Sequence, residues 1–165
     1  KGASCMKKGS TLFLRLGVSV IGLGVLVLCI FLLPIIWADA YKEYPQVGYA
    51  VREVVAAMYA AAILFYIGIY NGWRVLNAID KNQAFTMKPV RLLKTIAWCA
   101  GIISAIYAIS LPFFYVWADH TDAPGLMVIG LFLTGMPLII CVAIALLARL
   151  LGEAVTIKTE NDLTV

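Results

Sequence analysis

The chain has 165 residues, of which 63% are hydrophobic and 13% are charged, and its mean hydropathy is +0.95. A soluble domain has about half apolar and about a quarter charged residues, so this composition excludes an ordinary soluble fold. The formal net charge of +4 does not indicate direct binding of nucleic acid. Its meaning depends on where the charges lie relative to the apolar stretches.

Four apolar stretches of similar length account for most of the chain, and none has a charge near its middle: Leu12–Trp37, Val54–Ile79, Leu92–Trp117 and Leu126–Leu151. A helix of about 20 apolar residues crosses the hydrocarbon layer of a bilayer, which is about 30 Å thick. We therefore predict an all-α integral membrane protein, a four-transmembrane-helix bundle forming one domain over residues 6–165. Residues 1–5 are expected to be a remnant of the expression vector, because Met6-Lys7-Lys8 has the form of a natural start.

Lysine and arginine residues are divided unequally between the two ends of the stretches. Only Lys42 and Arg52 fall on the side of the membrane opposite the N-terminus. The side of the N-terminus receives Lys1, Lys7, Lys8, Arg15, Arg74, Lys81, Lys88, Arg91, Lys94, Arg149 and Lys158. Basic residues are retained on the cytoplasmic side of a membrane. We therefore expect a multi-pass membrane protein with both termini in the cytoplasm.

Small residues recur in the first two stretches at spacings that suit helix contacts. Gly17, Gly22 and Gly24 lie in the first stretch, and Gly68 and Gly72 lie in the second. In lipid, small residues let helices approach closely and gain dispersion contacts. The pattern predicts close packing at these glycines and a central place for the second helix.

Tyrosines form a face on the second helix. Tyr59, Tyr66 and Tyr70 recur at spacings of seven and four, with Trp73 on the same face. A buried phenol needs a hydrogen-bond partner. The favoured interpretation is helix packing, in which the hydroxyls bond to backbone carbonyls or to serines of the third helix, Ser104 and Ser110. The other interpretation is that the face lines a ligand pocket.

Two further residues belong to that alternative pocket. Asn71 is the deepest amide of the second helix and could join it to a neighbour. Pro137 lies near the bilayer midplane, where it removes one helix hydrogen bond and predicts a kink. Broken helices at this depth also occur in transporter sites. The candidate pocket residues are thus Tyr59, Tyr66, Tyr70, Asn71 and Pro137.

The connection between the second and third stretches indicates a turn followed by a helix start. Thr86 suits the N-cap position, and Pro89 falls in the first turn, where its missing N–H costs nothing. Basic residues around this connection form a patch: Lys81, Lys88, Arg91 and Lys94. Such a patch meets anionic lipid with a gain of about 1 kcal/mol per residue.

The sequence contains no P-loop, no G-x-S-x-G, no H-E-x-x-H and no dinucleotide-binding fingerprint. Its cysteines lack metal-type spacing, and no nucleophile–base pair is recognisable. We therefore expect a protein that is not an enzyme and that needs neither a metal nor another cofactor.

Several segments in order resemble the YoaS-like family of small bacterial membrane proteins, a domain of unknown function: Met6–Leu14, Ala78–Phe85, Leu111–Tyr115, Asp122–Gly125 and Glu160–Val165. The resemblance spans Met6 to Val165. It implies a four-helix protein of the bacterial plasma membrane without an assigned activity, whose relatives are often encoded beside a very small helix-turn-helix regulator.

The leading functional hypothesis is therefore a regulatory membrane protein that docks a small cytoplasmic transcriptional regulator. Its contact surface would comprise the inner loop and the acidic tail: Asp80, Lys81, Phe85, Lys88, Arg91, Glu160 and Asp162. The alternative is a lipid- or small-molecule-binding protein, an efflux or immunity component, with a pocket beside the second helix. Membrane lipids are expected partners in either case, and a homodimer is left open.

Overall fold

The computed structural model describes the backbone of residues 2–81 and 86–162, and the side chains of residues 12–40, 42–81 and 86–160. All regular elements in these ranges are helical. They are α1 (Gly2–Val27), a π-helical turn (Leu28–Leu32), α2 (Leu33–Glu43), a 3-10 turn (Pro45–Val47), α3 (Gly48–Asp80), α4 (Met87–His120) and α5 (Gly125–Asp162).

Four segments within the described ranges are long and apolar enough to cross a membrane: Leu12–Ala40, Pro45–Asp80, Met87–His120 and Gly125–Glu160. They are called the first to fourth spans below. This confirms the predicted all-α architecture with four spans. The end that carries Arg15, Arg74, Lys88 and Arg149 is called the basic end.

The helices extend beyond the apolar stretches, most of all in α5. This helix has 38 residues, so at about 1.5 Å per residue it is about 57 Å long, well over the ~30 Å of a bilayer core. The segment after Gly152 contains neither proline nor glycine, so no residue stops the helix where the apolar stretch ends. The acidic tail is therefore helical as far as Asp162.

Helix boundaries follow the local sequence signals. Thr86 is the N-cap residue of α4 with an extended backbone, and Pro89 lies in the first turn, as predicted. Pro45 interrupts the helix between the first two spans, where Tyr44 leaves the helical conformation. Helix α5 continues through Pro137.

The spans pack mainly on their neighbours in the chain. The interfaces of α4 with α5 and of α3 with α4 are extensive, whereas α1 meets α3 over a much smaller area. The first and fourth spans share no comparable interface. The arrangement is therefore open along one side, and a closed bundle in which every helix has two full neighbours is not formed.

Close packing is concentrated in two clusters at the end opposite the basic end. The first joins α2 to α3, and the second joins α3 to α4 and receives side chains from α5: Leu33, Ala40, Val51 and Val55 in the first, and Val54, Ala61, Tyr107 and Phe114 in the second. These clusters hold the spans together at that end and leave the middle less filled.

The glycines behave differently from the packing prediction. Only Gly22 of the first span makes a close approach, because a Cβ atom there would lie 3.2 Å from Ile69 Cδ1. A Cβ atom at Gly17, Gly24, Gly68 or Gly72 would have no neighbour within 4 Å. The prediction of close helix contacts at those four positions was wrong, since spacing along a helix does not say which face a neighbour covers.

Candidate functional site

A cavity of about 510 Å³, here called the central groove, lies between the four spans. Each span contributes to its lining: Val18, Val25, Leu28, Cys29, Leu32 and Leu33 from the first; Met58, Ala61, Ala62, Leu64, Phe65, Gly68, Ile69 and Gly72 from the second; Ile96, Cys99, Ala100, Ile103 and Tyr107 from the third; and Leu133, Met136, Pro137 and Ile140 from the fourth. The groove results from the missing interface between the first and fourth spans.

The wall of the groove is open where α3 has glycine. Gly68 and Gly72 are one turn apart, and a Cβ atom at either would meet nothing within 4 Å. Sequence spacing had assigned these residues to a helix contact. They instead provide room in the groove. The rotation of α3 about its axis decides that these glycines face the groove, and spacing along the helix does not.

The groove is apolar. Its lining side chains are aliphatic, aromatic or sulfur-containing, and Tyr107 has the only hydroxyl among them. The volume lies within the range of about 300–1,000 Å³ that is usual for small-molecule sites. A cavity of this chemistry accommodates an apolar molecule, because a charged or strongly polar one would lose its hydration without gaining partners.

The predicted tyrosine pocket is not assembled as a single site. Of its five candidate residues, only Pro137 lines the central groove. Tyr70 is 65% exposed, and its ring lies 5.9 Å from the Arg74 guanidinium carbon. The Asn71 side chain is buried and donates to the Ile67 carbonyl of its own helix at 2.9 Å. This hydrogen bond lies within α3 and does not join two helices, contrary to the prediction for Asn71.

Tyr59 and Tyr66 attach the first span to α3. The Tyr66 hydroxyl donates to the Gly22 carbonyl oxygen at 2.7 Å, and the Tyr59 hydroxyl donates to the Cys29 carbonyl oxygen at 3.0 Å. These are backbone carbonyls, as the packing interpretation expected. The serines of α4 bond elsewhere, Ser104 to the Thr134 carbonyl and Ser110 to the Ile106 carbonyl.

The bond from Tyr59 has a local cause in the first span. In the π-helical turn the Leu33 N–H donates to the Leu28 carbonyl, five residues back. The next carbonyl in this register belongs to Cys29 and would receive the N–H of residue 34, but residue 34 is proline and has none. The Tyr59 hydroxyl takes the place of that donor. An orphan carbonyl is costly in lipid, so this bond supports both the turn and the helix contact.

A polar contact joins the same two helices at the basic end. Arg15 Nη2 donates to Asp80 Oδ2 at 2.7 Å and also to Asn77 Oδ1. The Arg15 and Asp80 side chains are about one-third exposed. The Nε atom of Arg15 is buried and has no hydrogen-bond partner. Asp80, predicted as a contact for a partner protein, is thus engaged within the chain.

A second cavity, here called the basic cleft, lies at the basic end between the end of α3 and the start of α4. It has a volume of about 420 Å³ and is lined by Arg74, Asn77, Ala78, Lys81, Lys88, Arg91 and Leu92. Three predicted contact residues, Lys81, Lys88 and Arg91, therefore meet in one concavity. Arg74 joins them, and its spacing of seven from Lys81, which is two helical turns, would have been the signal to find it.

The structure describes the remaining predicted contact residues only in part. Phe85 falls outside the described residues, and only the backbone of Asp162 is described. Glu160 lies in the last turn of α5. About two turns before Glu160, α5 meets the start of α4, because a Cβ atom at Gly152 would lie 3.7 Å from Val90 Cγ1 and Val155 is 5% exposed.

Among the residues that the structure describes, no group of three or more His, Cys, Asp or Glu side chains is close enough to hold a metal ion. The candidate sites in these ranges are thus the central groove, which is apolar, and the basic cleft, which carries positive charge. Both are suited to binding a molecule in or at a membrane.

Comparison with known proteins places this membrane protein with four spans in a family. A family model described as "Protein of unknown function (DUF2975)" matches residues 35–165. The chain is also 43% identical over 160 residues to the "Uncharacterized membrane protein YoaS" of Bacillus subtilis (strain 168), covering 97% of this chain and 100% of that protein. No solved structure matches the chain. The chain belongs to the DUF2975 family, and the resemblance to YoaS-like proteins is confirmed.

Proposed function

We propose that this protein is a non-enzymatic membrane protein that binds an extended lipophilic molecule, a lipid acyl chain or a compound of similar shape, in the central groove. One observation carries the proposal: an apolar cavity of about 510 Å³ is lined by all four spans. A void of this size deprives its lining of dispersion contacts, and an apolar occupant restores them. In lipid this gain, rather than the hydrophobic effect, drives association.

The rim of the groove favours entry from the bilayer. Leu32 on the first span and Met136 and Ile140 on the fourth line the groove and are each more than 40% exposed. An acyl chain can therefore enter sideways between the first and fourth spans without crossing a polar barrier. This supports a lipid as the source of the occupant.

The test is to fill the groove. We expect a photoactivatable palmitate analogue to label the wild-type protein on groove residues such as Ile103 and Met136. Gly68→Leu should reduce this labelling severalfold, because the new side chain occupies free space in the groove. Gly24→Leu is the matched control, since Gly24 also has free space around it but does not line the groove.

Two results would contradict the proposal. One is labelling spread evenly over the lipid-exposed faces of the spans in the wild type. The other is equal labelling of the groove residues in the wild type and in Gly68→Leu, while circular dichroism shows the same helix content for both.

A second candidate function is the docking of a small cytoplasmic regulator at the basic end. It is favoured by the approach of α5 to α4, which brings the Glu160 end of α5 to the same end of the molecule as Lys88 and Arg91. Deletion of residues 159–165 should then weaken co-purification of a tagged regulator encoded next to the gene. Clean separation of the two intact proteins in mild detergent would exclude this function.

The docking hypothesis requires that the basic end faces the cytoplasm of a bacterial plasma membrane, with both termini inside. The excess of Lys and Arg at that end supports this orientation. In intact cells, an impermeant thiol reagent should label Asp119→Cys and spare Glu153→Cys, because the two exposed positions lie at opposite ends of the spans. The reverse labelling pattern would mean that the basic end faces outward.

A further inference from the structure

The basic cleft concentrates positive charge that the rest of the described chain does not neutralise. Four cations line it, Arg74 and Lys81 from the end of α3 and Lys88 and Arg91 from the start of α4. None of the four forms an ion pair within the described ranges. The acid next to Lys81 in the sequence, Asp80, is paired with Arg15 of the first span instead.

The cations of α4 are at an unfavourable place on their helix. The N-terminus of a helix carries a partial positive charge and favours anions. Helix α4 has no acidic residue in its first turn, yet Lys88 lies in that turn and Arg91 lies directly after it. A bound anion would offset both the helix dipole and the mutual repulsion of the four side chains.

The position of the cleft in the fold indicates where the anion comes from. Trp73 lies beside Arg74 and is 41% exposed, as expected of an aromatic side chain at the membrane interface. Ala78 and Leu92 add apolar surface to the cleft lining. Cations and apolar surface at headgroup depth suit a lipid phosphate with its glycerol and acyl attachment more than a fully hydrated anion.

The geometry points to a specific site for the phosphate headgroup of an anionic phospholipid in the basic cleft. Arg74, Lys81, Lys88 and Arg91 would contact the phosphate, and Asn77 offers a further hydrogen-bonding group.

This site is separate from the central groove. Gly72 lines the groove and Arg74 lines the cleft. Residues two positions apart on a helix are related by a rotation of about 200° and point in nearly opposite directions. The two cavities therefore lie on different faces of α3. A lipid in the cleft is therefore distinct from the lipophilic molecule proposed for the groove, and each hypothesis can fail without the other.

Native mass spectrometry of the full-length protein in detergent tests the site. We expect dioleoyl-phosphatidylglycerol to bind more tightly than dioleoyl-phosphatidylcholine. The double variant Lys88→Gln/Arg91→Gln should weaken binding of phosphatidylglycerol about thirtyfold, because each basic residue near an anionic lipid contributes about 1 kcal/mol and a factor of ten corresponds to about 1.4 kcal/mol. Binding of phosphatidylcholine should not change.

The matched control is Lys94→Gln/Arg149→Gln, which removes the same charge at the same end from side chains that do not line the cleft. It should bind phosphatidylglycerol like the wild type, and Lys88→Arg/Arg91→Lys should retain most of the binding. If Lys88→Gln/Arg91→Gln does not fold, as judged by circular dichroism, Lys81→Gln is expected to weaken binding severalfold.

Two outcomes would overturn the proposal. Equal losses in the cleft variant and in the control would show that only the overall charge matters. Unchanged affinity for phosphatidylglycerol in the cleft variants, together with binding of millimolar inorganic phosphate that these variants lose, would assign the cleft to a soluble anion.

Discussion

The two halves of this molecule are held together by different interactions. Between α4 and α5, backbones approach closely: a Cβ atom at Gly130 would lie 3.0 Å from Phe114 Cγ, and one at Gly101 would lie 3.3 Å from Cys141 Sγ. Between α1 and α3 the contact area is small, and polar bonds made by Tyr66 and Arg15 cross it, with the Tyr59 bond following at the π-helical turn. The first span packs closely on α3 at its α2 end, through Leu33 and Ala40.

The difference matters because lipid supplies no hydrophobic force between helices. Helices in a bilayer associate through close packing or through hydrogen bonds, and each half of this chain relies mainly on one of the two. Close packing fills space and leaves no room for a ligand. Separate polar bonds hold the first span at fixed points, which leaves the central groove between those points and the fourth span.

The packed half gives the largest expected effect of a single substitution. Gly130→Leu should destabilise the protein by about 1–3 kcal/mol or more, because the side chain would overlap Phe114 and Leu111 and force α4 and α5 apart. Unfolding in mixed micelles with increasing sodium dodecyl sulfate measures this change. Gly135→Leu is the control, since a Cβ atom at Gly135 has no neighbour within 4 Å. Equal stability of the two variants would mean that this interface is looser than the contacts indicate.

The ion pair at the basic end comes next. Arg15→Gln and Asp80→Asn should each lower the free energy of unfolding by about 1 kcal/mol, since both side chains are partly exposed and the pair is partly screened. A double-mutant cycle should give a coupling energy of similar size that falls with added salt. Additive losses in the two single variants would show that the pair does not hold the first span to α3.

The tyrosine bonds give the smallest expected effects. Tyr66→Phe and Tyr59→Phe should each cost about 0.6 kcal/mol, which is typical of a side-chain hydrogen bond between membrane helices. Tyr59→Phe should be the more costly of the two, because it leaves the Cys29 carbonyl without the donor that Pro34 lacks. The matched control is Tyr70→Phe, which keeps the ring near Arg74. A loss in Tyr70→Phe equal to the other two would contradict this account of the first span.

Several elements were predictable from the sequence because their causes are local. The four spans follow from runs of apolar residues, and the start of α4 follows from Thr86 at the N-cap and Pro89 three residues later in the first turn. The break at Pro45 follows from the proline itself. The end of α5 was less predictable, because a stretch defined by hydropathy does not mark where a helix stops.

The site was predicted only in part. Lys81, Lys88 and Arg91 were recognised as a basic group from their closeness in the sequence, and the structure brings them together with Arg74. The tyrosine face was recognised as a face, but its spacing could not show that Tyr59 and Tyr66 bond to the first span while Tyr70 remains exposed. The central groove has no sequence signature, because its residues come from four helices far apart in the chain.

The amino-acid sequence by itself determined that this is a membrane protein with four helical spans and a basic end, since hydropathy and helix formation depend on neighbouring residues. The tertiary structure alone decided which small residues pack and which leave space. Gly130 meets Phe114, whereas Gly68 and Gly72 face the groove. The reason is that each helix in a bilayer can rotate about its axis with little cost, and only contacts with the other helices select one rotation.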